Sequence, residues 1–516
     1  MIKSDSVEQR SAIRSTLFGP FVITFLWLLL GLATWGHLMM RPIEPNEHVY
    51  VVASVLAMEH KLYSDFAFGQ MPNLPFVYAA LYQLTGTAHY LFVARLATWV
   101  VTMLTCGMMG AIAYHFARSQ KGLQAALAGW VLALSDSYIL ITGECSNYVF
   151  PILFSLVAFW ALMALPIRFG SGLAGFALSL AVGFKLYYVT LVPVFAIAVF
   201  ALAGHGRQRW LNLGIYLGFG VLGAFPSLLC VWRDSGAFWC NNVGLHRYST
   251  NWYYEIHYHD RLSFFARAQY AKSCLQHPSQ MWMAFGIGIV LIRWLRRDFS
   301  DWRWVSLAAS LVGMSVLSAL VPVPIWPQHV GMIIPFVLVM LLAAGSDRIV
   351  SVERALLVTF LVGVVVSGPY YARMVSHALH FKNWSPIAYH NQARGMVADF
   401  ALNHDAMIAS FMPLFIVEAG YKVEPEFAAA RFIYQIAEGL SDELAAKLPT
   451  TSRSRLDAYL DSKRPELIVT PFSRSCPGDA LSPDDDLDRY AETHGYEKKV
   501  LSNVECIVWR RVGQEQ

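Results

Sequence analysis

The clearest pattern in the sequence is a series of apolar runs of membrane-spanning length within the first 371 residues. A helix needs about 20 mostly apolar residues to cross a bilayer. We therefore predict eleven transmembrane helices, at roughly 18–40, 88–116, 123–141, 148–166, 172–187, 188–203, 210–232, 281–296, 303–321, 328–345 and 352–371. The runs at 172–187 and 188–203 meet at Lys185, and one long helix is the alternative for that pair.

Three longer segments break this apolar pattern, at 41–87, 233–280 and 372–516. The second is rich in aromatic residues, whose usual role at this position is membrane anchoring. In the third, residues 406–411 and 466–470 have the pattern of buried strands, 451–463 that of a helix, and 499–509 that of a hairpin. The pattern predicts a polytopic α-helical membrane protein, residues 1–371, with a C-terminal soluble α/β domain, residues 372–516.

Composition and charge support this prediction and add an orientation. The chain is 56% hydrophobic and 14% charged, whereas soluble domains carry about 25% charged residues. A net charge of +4 gives no indication of nucleic-acid binding. Cytoplasmic loops are enriched in Lys and Arg. With the N-terminus inside, the predicted inner segments carry Lys3, Arg10, Arg14, Arg118, Lys121, Arg168, Arg207, Arg209, Arg296, Arg297, Arg303, Arg348 and Arg354.

Eleven spans then place all three polar segments on the outer side. We expect a cytoplasmic N-terminus, an uncleaved first helix and a C-terminal domain on the outer face of the membrane. Chemistry that requires water is expected on that side.

Glu44 and Glu47 stand directly after the first predicted span, in Arg41-Pro-Ile-Glu-Pro-Asn-Glu-His-Val-Tyr50. An uncompensated carboxylate is costly at a membrane. Pro45 suits the first position of a helix and Glu47 the third, so helix capping and interface solvation are one interpretation. The other is a general base, or a carboxylate pair that binds a divalent cation. The helix that follows is predicted to be amphipathic and to lie on the membrane surface.

Other polar residues lie at the predicted outer ends of spans. Lys185 is a candidate phosphate contact, with snorkelling to the interface as the alternative. His329 is a candidate of the same kind, with packing as the alternative. Glu144 and Asn147 are candidate partners of the first-loop carboxylates, with helix capping as the alternative. For Arg95 we favour a structural ion pair with a carboxylate.

The order of these features resembles the GT-C membrane glycosyltransferases, in particular the bacterial proteins related to protein O-mannosyltransferases and lipid A aminoarabinose transferases. The resemblance is carried by the acidic pair Glu44 and Glu47, the nearby Tyr50, a turn with Tyr63 and Asp65, a Pro-led helix ending in Leu-Thr-Gly86, a span that contains Arg95, Gly183-Phe-Lys-Leu-Tyr187, and Trp326-Pro-Gln-His-Val330. Three positions depart from the usual pattern. Glu44 stands in place of an Asp, His60-Lys61 stands where a Gly is usual, and Val330 stands in place of a Tyr.

The resemblance implies a glycosyltransferase that takes a sugar from a polyprenyl-phosphate donor and passes it to a lipid, glycan or protein acceptor. Glu44 or Glu47 would be the catalytic base, or both would hold a divalent cation, Mg or Mn. Lys185 and His329 would lie near the lipid phosphate. The further substrate-binding candidates are Tyr50, Tyr63, Asp65, Arg95, Glu144 and Asn147.

Two other functions are compatible with the sequence. A transporter or flippase for lipid-linked oligosaccharides would also have many spans, but no inverted repeat or matched pair of broken helices is evident. An O-antigen ligase or polymerase would share the lipid-linked chemistry and act on longer glycans. Cys240 with Cys274 and Cys476 with Cys506 are candidate disulfides, with free thiols as the alternative.

Overall fold

The structure is a computed structural model, and it describes residues 4–256, 258, 261–296, 302–345, 352–400, 402–403, 405–445, 447–470, 482–501 and 506–512. Helices dominate the chain up to Ala378. They are α1 Ser4–Met40, α2 Pro45–Leu56, α3 Asn73–Thr85, α4 Tyr90–Phe116, α5 Lys121–Ala133, α6 Asp136–Thr142, α7 Val149–Ala164, α8 Ile167–Phe184, α9 Leu191–Leu202, α10 Arg207–Gly223, α11 Phe225–Arg233, α12 Ser235–Trp239, α13 Leu245–Glu255, α14 Phe264–Leu275, α15 Trp282–Leu295, α16 Trp302–Ala319, α17 Pro327–Val330, α18 Ile333–Ala344 and α19 Val352–Ala378. Short 3-10 turns at Leu186–Thr190 and Pro278–Gln280 and a π-helical turn at Cys240–Gly244 connect some of them.

Each predicted apolar run coincides with helix, but the number of spans is not confirmed. Within the described ranges, five helices are long and apolar enough to cross a membrane, namely Gly19–Met40, Tyr90–Phe116, Ile167–Phe184, Pro327–Ala344 and Glu353–Ala378. Two bent pairs, α5 with α6 (77°) and α10 with α11 (59°), raise the number to as many as seven. Pro226, in the first turn of α11, accounts for the second break because its ring clashes with the preceding turn. Eleven spans therefore stay a prediction.

The first outer segment forms α2 and α3, as predicted, but α2 is not a surface helix. Pro45 opens it, and the Glu47 side chain accepts a hydrogen bond from the backbone N–H of Glu44 (3.0 Å). Eight of its twelve residues are buried, because α2 contacts α3 and α4 on the bundle side and a helix of the C-terminal region on the other. The expectation of a membrane-surface helix is thus wrong. Its polar residues belong to the interior.

The C-terminal region combines short helices with one sheet, as predicted for an α/β unit. The helices are α20 Ser385–Ala398, α21 Pro413–Glu418, α22 Ala430–Tyr434, α23 Asp442–Ala445, α24 Leu456–Lys463 and α25 Pro483–Thr493, with 3-10 turns at Phe381–Asn383, Pro425–Phe427 and Ala437–Gly439. The strands are β1 Ile408–Ala409, β2 Leu467–Thr470, β3 Tyr496–Leu501 and β4 Cys506–Arg511, in the order β1-β2-β4-β3. β1 and β2 are parallel, and the other pairs are antiparallel.

This region is joined to the helical bundle by one continuous hydrophobic core and by a buried polar contact. Glu418, at the end of α21, accepts a hydrogen bond from the backbone N–H of Leu91 in the first turn of α4 (2.7 Å). Its second oxygen lies 2.5 Å from Nδ1 of His390 on α20. The C-terminal region therefore closes over α2 and the start of α4.

One of the candidate disulfides is ruled out by the structure. Cys240 and Cys274 are both free cysteines. Cys476 and the side chain of Cys506 lie outside the described residues, so the second pairing stays a prediction.

Candidate active site

Glu47 forms a buried ion pair with Arg95, the structural pairing favoured for Arg95. Nη2 of Arg95 lies 2.6 Å from one Glu47 oxygen, and Nε lies 2.8 Å from the other. The backbone N–H and thiol of Cys145 also donate to Glu47, each at 3.1 Å. Burial alone raises the pKa of Glu47, but the charge and hydrogen bonds of Arg95 outweigh it and hold the pKa below the ordinary 4.5. Glu47 is thus an ionised, fully hydrogen-bonded carboxylate.

The same Arg95 fixes the end of α1. Its guanidinium donates to the backbone carbonyls of Leu38 (2.7 Å), Arg41 (2.9 Å) and Pro42 (3.2 Å). Both partners of the ion pair are fully buried. A buried guanidinium with this many acceptors is a structural centre that holds α1, α2 and α4 together.

Glu44 lies in a different environment although it is three residues away. Its carboxylate is one-third exposed and pairs with Nε of Arg41 at 3.1 Å. Exposed pairs of this kind contribute little to stability. Glu44 is therefore available to a solvated ligand, but a cation next to it holds it in place.

The segment Gly143–Tyr148, between α6 and α7, supplies more of the site than sequence reasoning indicated. Besides Cys145 on Glu47, it contributes Glu144, whose two oxygens accept from Nδ2 of Asn46 at 3.1 and 3.3 Å. Burial, followed by the charge of Glu47, raises the pKa of Glu144 to about 7. The side chain is 4% exposed. Glu144 therefore titrates in the neutral range.

Asn147 and Tyr148, from the same segment, hold Lys185. Nζ of Lys185 donates to Oε1 of Gln70 (2.8 Å) and to Oδ1 of Asn147 (3.3 Å), and it lies 4.3 Å from the Tyr148 ring centre. The Tyr50 hydroxyl also donates to Oδ1 of Asn147 (2.9 Å). Lys185 is buried, and its described contacts are with neutral groups. A buried ammonium held this way is prepared for an anion.

His329, on α17, borders this group. Its Nδ1 accepts from the backbone N–H of Trp326 (3.1 Å), which leaves Nε2 as the protonated nitrogen of a neutral ring. Its ring centre lies 5.7 Å from that of Tyr187 and 6.1 Å from that of Tyr148, both of which also contact Lys185. The structure thus brings Tyr50, Asn147, Lys185 and His329 together.

Tyr63 and Asp65 shape the turn after α2 and do not join this group. The Tyr63 hydroxyl donates to the backbone carbonyl of Gln70 (2.7 Å), and the residue has a positive φ of 74°. Asp65 is 39% exposed and accepts from the backbone N–H of Lys61 (2.7 Å). Tyr63 thus positions Gln70, and Asp65 stabilises the turn. A role of either residue in substrate binding stays a prediction.

Sequence reasoning missed Asn46, Gln70, Cys145 and Tyr148. Each is neutral, so no charge at the membrane boundary marks it. One signal was present: Gln70 lies in Gly-Gln-Met-Pro, a turn between two helices, where side chains often serve function. Glycine at position 183 is explained by packing, since a Cβ there would collide with the Asn73 side chain.

One described cavity, of about 570 Å³, lies elsewhere and is not assigned to the chemistry. It is lined by Trp27, Gly107, Gly110, Ala111, Tyr114, His115, Lys121, Ala125 and Trp160. Those of them that belong to α4 come from the end of that helix away from Arg95, and no carboxylate lines the cavity.

No family model and no curated protein matches the chain. Among solved structures, ArnT from Cupriavidus metallidurans bound to undecaprenyl phosphate is similar over 96% of this chain and 98% of its own, with a TM-score of 0.62 and 11% identity. The chain therefore has an ArnT-like fold. The fold expected from the sequence resemblance is thereby confirmed.

Two further matches to GT-C proteins have TM-scores under 0.5, and no argument rests on them. One is ArnT from the same organism in the apo state, at 12% identity, 97% and 98% coverage and a TM-score of 0.48. The other is the oligosaccharyltransferase AglB from Archaeoglobus fulgidus, with an inhibitory peptide and a dolichol-phosphate, at 10% identity, 97% and 75% coverage and a TM-score of 0.46.

The predicted divalent-cation site at Glu44 and Glu47 is not assembled in the described part of the chain. No group of three His, Cys, Asp or Glu side chains there has the geometry to hold a metal ion. Both Glu47 oxygens are already occupied by Arg95 and by N–H donors. Glu47 therefore has no oxygen left for a cation, and a divalent cation at Glu44 stays a prediction.

Proposed function

We propose that the protein is a membrane glycosyltransferase that transfers a sugar from a polyprenyl-phosphate donor to a lipid, glycan or protein acceptor. The observation that carries the proposal is the buried Lys185, held by neutral groups within a GT-C fold. Removing an ammonium from water costs several kcal/mol. A phosphate that entered this site would offset that cost.

The similarity to ArnT supports this choice of anion. The ArnT structure with the TM-score of 0.62 contains undecaprenyl phosphate. In this chain, Lys185, His329 and the two tyrosines beside them form a group suited to such a phosphate. His329 can donate from Nε2, and the ammonium form of Lys185 supplies a positive charge.

The proposed reaction is a direct displacement at the sugar. The acceptor oxygen attacks the anomeric carbon, the bond from that carbon to the phosphate oxygen breaks, and the phosphate retains the electron pair. A carboxylate at the site takes the acceptor proton. Lys185 is placed to stabilise the negative charge that develops on the phosphate.

The topology is part of the same proposal. Eleven spans with the N-terminus in the cytoplasm would put the site and the C-terminal domain, residues 372–516, on the periplasmic side of a bacterial inner membrane. The distribution of Lys and Arg supports this orientation. A lipid-linked donor suits that side because nucleotide sugars are cytoplasmic.

The test uses the full-length protein in lipid nanodiscs with a panel of radiolabelled undecaprenyl-phosphate sugars. We expect label to leave at least one donor, and Lys185→Met to lower the rate by about 10²- to 10³-fold. Lys121→Met is the matched control, because Lys121 lines the cavity at the far end of α4. The control should retain the wild-type rate.

Two results would count against the proposal. Wild-type activity in Lys185→Met would remove the assigned phosphate contact. Failure to consume any donor, together with movement of a labelled lipid-linked sugar across proteoliposome membranes, would favour a transporter.

A further inference from the structure

Glu44, Glu47 and Glu144, whose charges act on one another, differ in how much capacity for a proton they retain. An ionised carboxylate offers about four acceptor positions. Glu47 receives five donors: two from Arg95, two from Cys145 and the backbone N–H of Glu44. Its negative charge is also neutralised by Arg95. A base in this position is saturated and cannot readily accept a proton from a substrate.

Glu44 is open to water but is paired with a cation. Arg41 donates to it at 3.1 Å, and the two side chains are 20% and 33% exposed. Its charge is thus already balanced by a neighbouring cation, which sets it apart from Glu144, whose described partner is a neutral amide.

Glu144 has acceptor positions that no described donor occupies, and its carboxylate is buried. Its described hydrogen bonds come from one amide, Nδ2 of Asn46, which spans its two oxygens. No cation forms an ion pair with it in the described part of the chain. It is buried in the segment that also carries Asn147 and Tyr148, the residues that hold Lys185.

We infer that Glu144, and not a first-loop carboxylate, is the catalytic base, with Asn46 as its positioning residue; this rests on the proposed function. The acceptor hydroxyl transfers its proton to a Glu144 oxygen as its own oxygen bonds to the anomeric carbon. The bond to the lipid phosphate breaks, and the phosphate keeps the electron pair. Release of the Glu144 proton to water completes the cycle.

Charged and titratable groups from every neighbouring element affect this base. Negative charge and burial make Glu144 more basic, while the Asn46 hydrogen bond and Arg41 make it less basic. Lys185 is coupled to Glu144 across the site. The groups are Arg41 after α1, Glu44 and Glu47 at the start of α2, Tyr50 on α2, Tyr78 on α3, Arg95 on α4, Cys145 and Tyr148 before α7 and Lys185 after α8.

The experiment measures loss of label from an undecaprenyl-phosphate sugar, to water or to acceptors in a total lipid extract, between pH 5 and 9. In wild type, we expect the maximal rate to rise with pH around a midpoint near 7. Glu144→Gln should lower it by about 10²- to 10⁴-fold and abolish that rise. Glu144→Asp should retain part of the rate with a displaced midpoint. Binding of undecaprenyl phosphate to each variant reports whether the fold is intact.

Asn46→Ala gives an independent readout. Because the Asn46 amide favours ionised Glu144, its loss should move the midpoint to higher pH, and activity should recover on the alkaline side. If Asn46 had a merely structural role, its replacement would lower the rate equally at every pH. Glu59→Gln, in the exposed turn that follows α2, is the control and should match wild type.

The outcomes separate this inference from the proposed function. If wild type consumes no donor, the proposed function fails and the assignment of Glu144 fails with it. If wild type is active and Glu144→Gln keeps its rate and pH profile, the proposed function stands and the inference is overturned. Loss of the pH dependence in Glu44→Gln, with Glu144→Gln unaffected, would return the role of base to the first loop.

Discussion

Glu47 and Glu144 are buried acids in neighbouring parts of one site, yet their environments are opposite. Glu47 is bonded to Arg95, Cys145 and the backbone of Glu44, and its pKa is held below the ordinary value. Glu144 is bonded to one neutral amide, and burial raises its pKa to about 7. A fully paired buried charge is structural, whereas a partly paired one is available for chemistry.

The same contrast holds for the cations. Arg95 donates to a carboxylate and to three backbone carbonyls that fix the end of α1. Lys185 contacts two amide oxygens and an aromatic ring. The pair Glu47 and Arg95 thus forms a structural frame, and Glu144 and Lys185 are the candidate reactive groups beside it.

The largest predicted effect comes from breaking the frame. Arg95→Ala leaves Glu47 buried without its cation, which typically costs about 3–5 kcal/mol. We expect a large loss of thermal stability in detergent, measured by tryptophan fluorescence, together with loss of activity. Replacing both residues, Arg95→Met with Glu47→Met, should recover part of the stability. No charge is then left unpaired, although the carbonyls of Leu38, Arg41 and Pro42 lose their donor. A double variant as unstable as Arg95→Ala would contradict this account.

The second prediction concerns stability at Glu144 and its dependence on pH. The folded pKa of about 7 lies above the ordinary 4.5, so folding disfavours the ionised form. The stability contribution of the protonated form is fully present below pH 4.5 and is lost as pH rises through 7. Glu144→Gln, which stays neutral, should therefore be more stable than wild type at pH 8 by up to about 3 kcal/mol.

The measurement for this prediction compares the Tm of Glu144→Gln with that of wild type at pH 5 and at pH 8. The difference should be small at pH 5 and in favour of the variant at pH 8. A variant that is less stable by the same amount at both pH values would show that Glu144 acts as an ionised structural residue, as Glu47 does.

The sequence predicted what depends on local pattern and on charge. Apolar runs located the helices, Pro45 and Glu47 located the start of α2, and the position of Arg95 at a span end indicated its carboxylate partner. The burial of α2 was missed because its apolar side was matched to lipid, whereas it packs against α21. Asn46 and Gln70 were missed because a neutral amide carries no charge that marks it in the sequence. Their partners, Glu144 and Lys185, lie about 100 residues away along the chain.

A smaller effect is expected where the C-terminal region meets the frame. Glu418 accepts from the backbone N–H of Leu91 in the first turn of α4, the helix that carries Arg95. A carboxylate at a helix N-terminus contributes about 1 kcal/mol, and its buried contact with His390 adds to this. Glu418→Ala should therefore lower the unfolding free energy by about 1–2 kcal/mol.

Limited proteolysis distinguishes this local effect from general loss of structure. Cleavage within residues 385–418 should become faster in Glu418→Ala while the helical bundle stays protected. Arg489→Ala, which breaks an exposed pair with Asp457 in the same region, is the control and should leave that cleavage rate unchanged.

The smallest predicted effect is at Glu44, the first-loop acid that lies outside the frame. Its pair with Arg41 is partly exposed, so Glu44→Gln should change the unfolding free energy by less than about 1 kcal/mol. The Tm in low and high salt measures this, because an exposed pair is screened by salt and a buried one is not. A loss comparable to that of Arg95→Ala would place Glu44 within the frame. A small, salt-sensitive loss of stability would show that Glu44 and Glu47, three residues apart, differ in role because Glu47 alone is buried in an ion pair with Arg95.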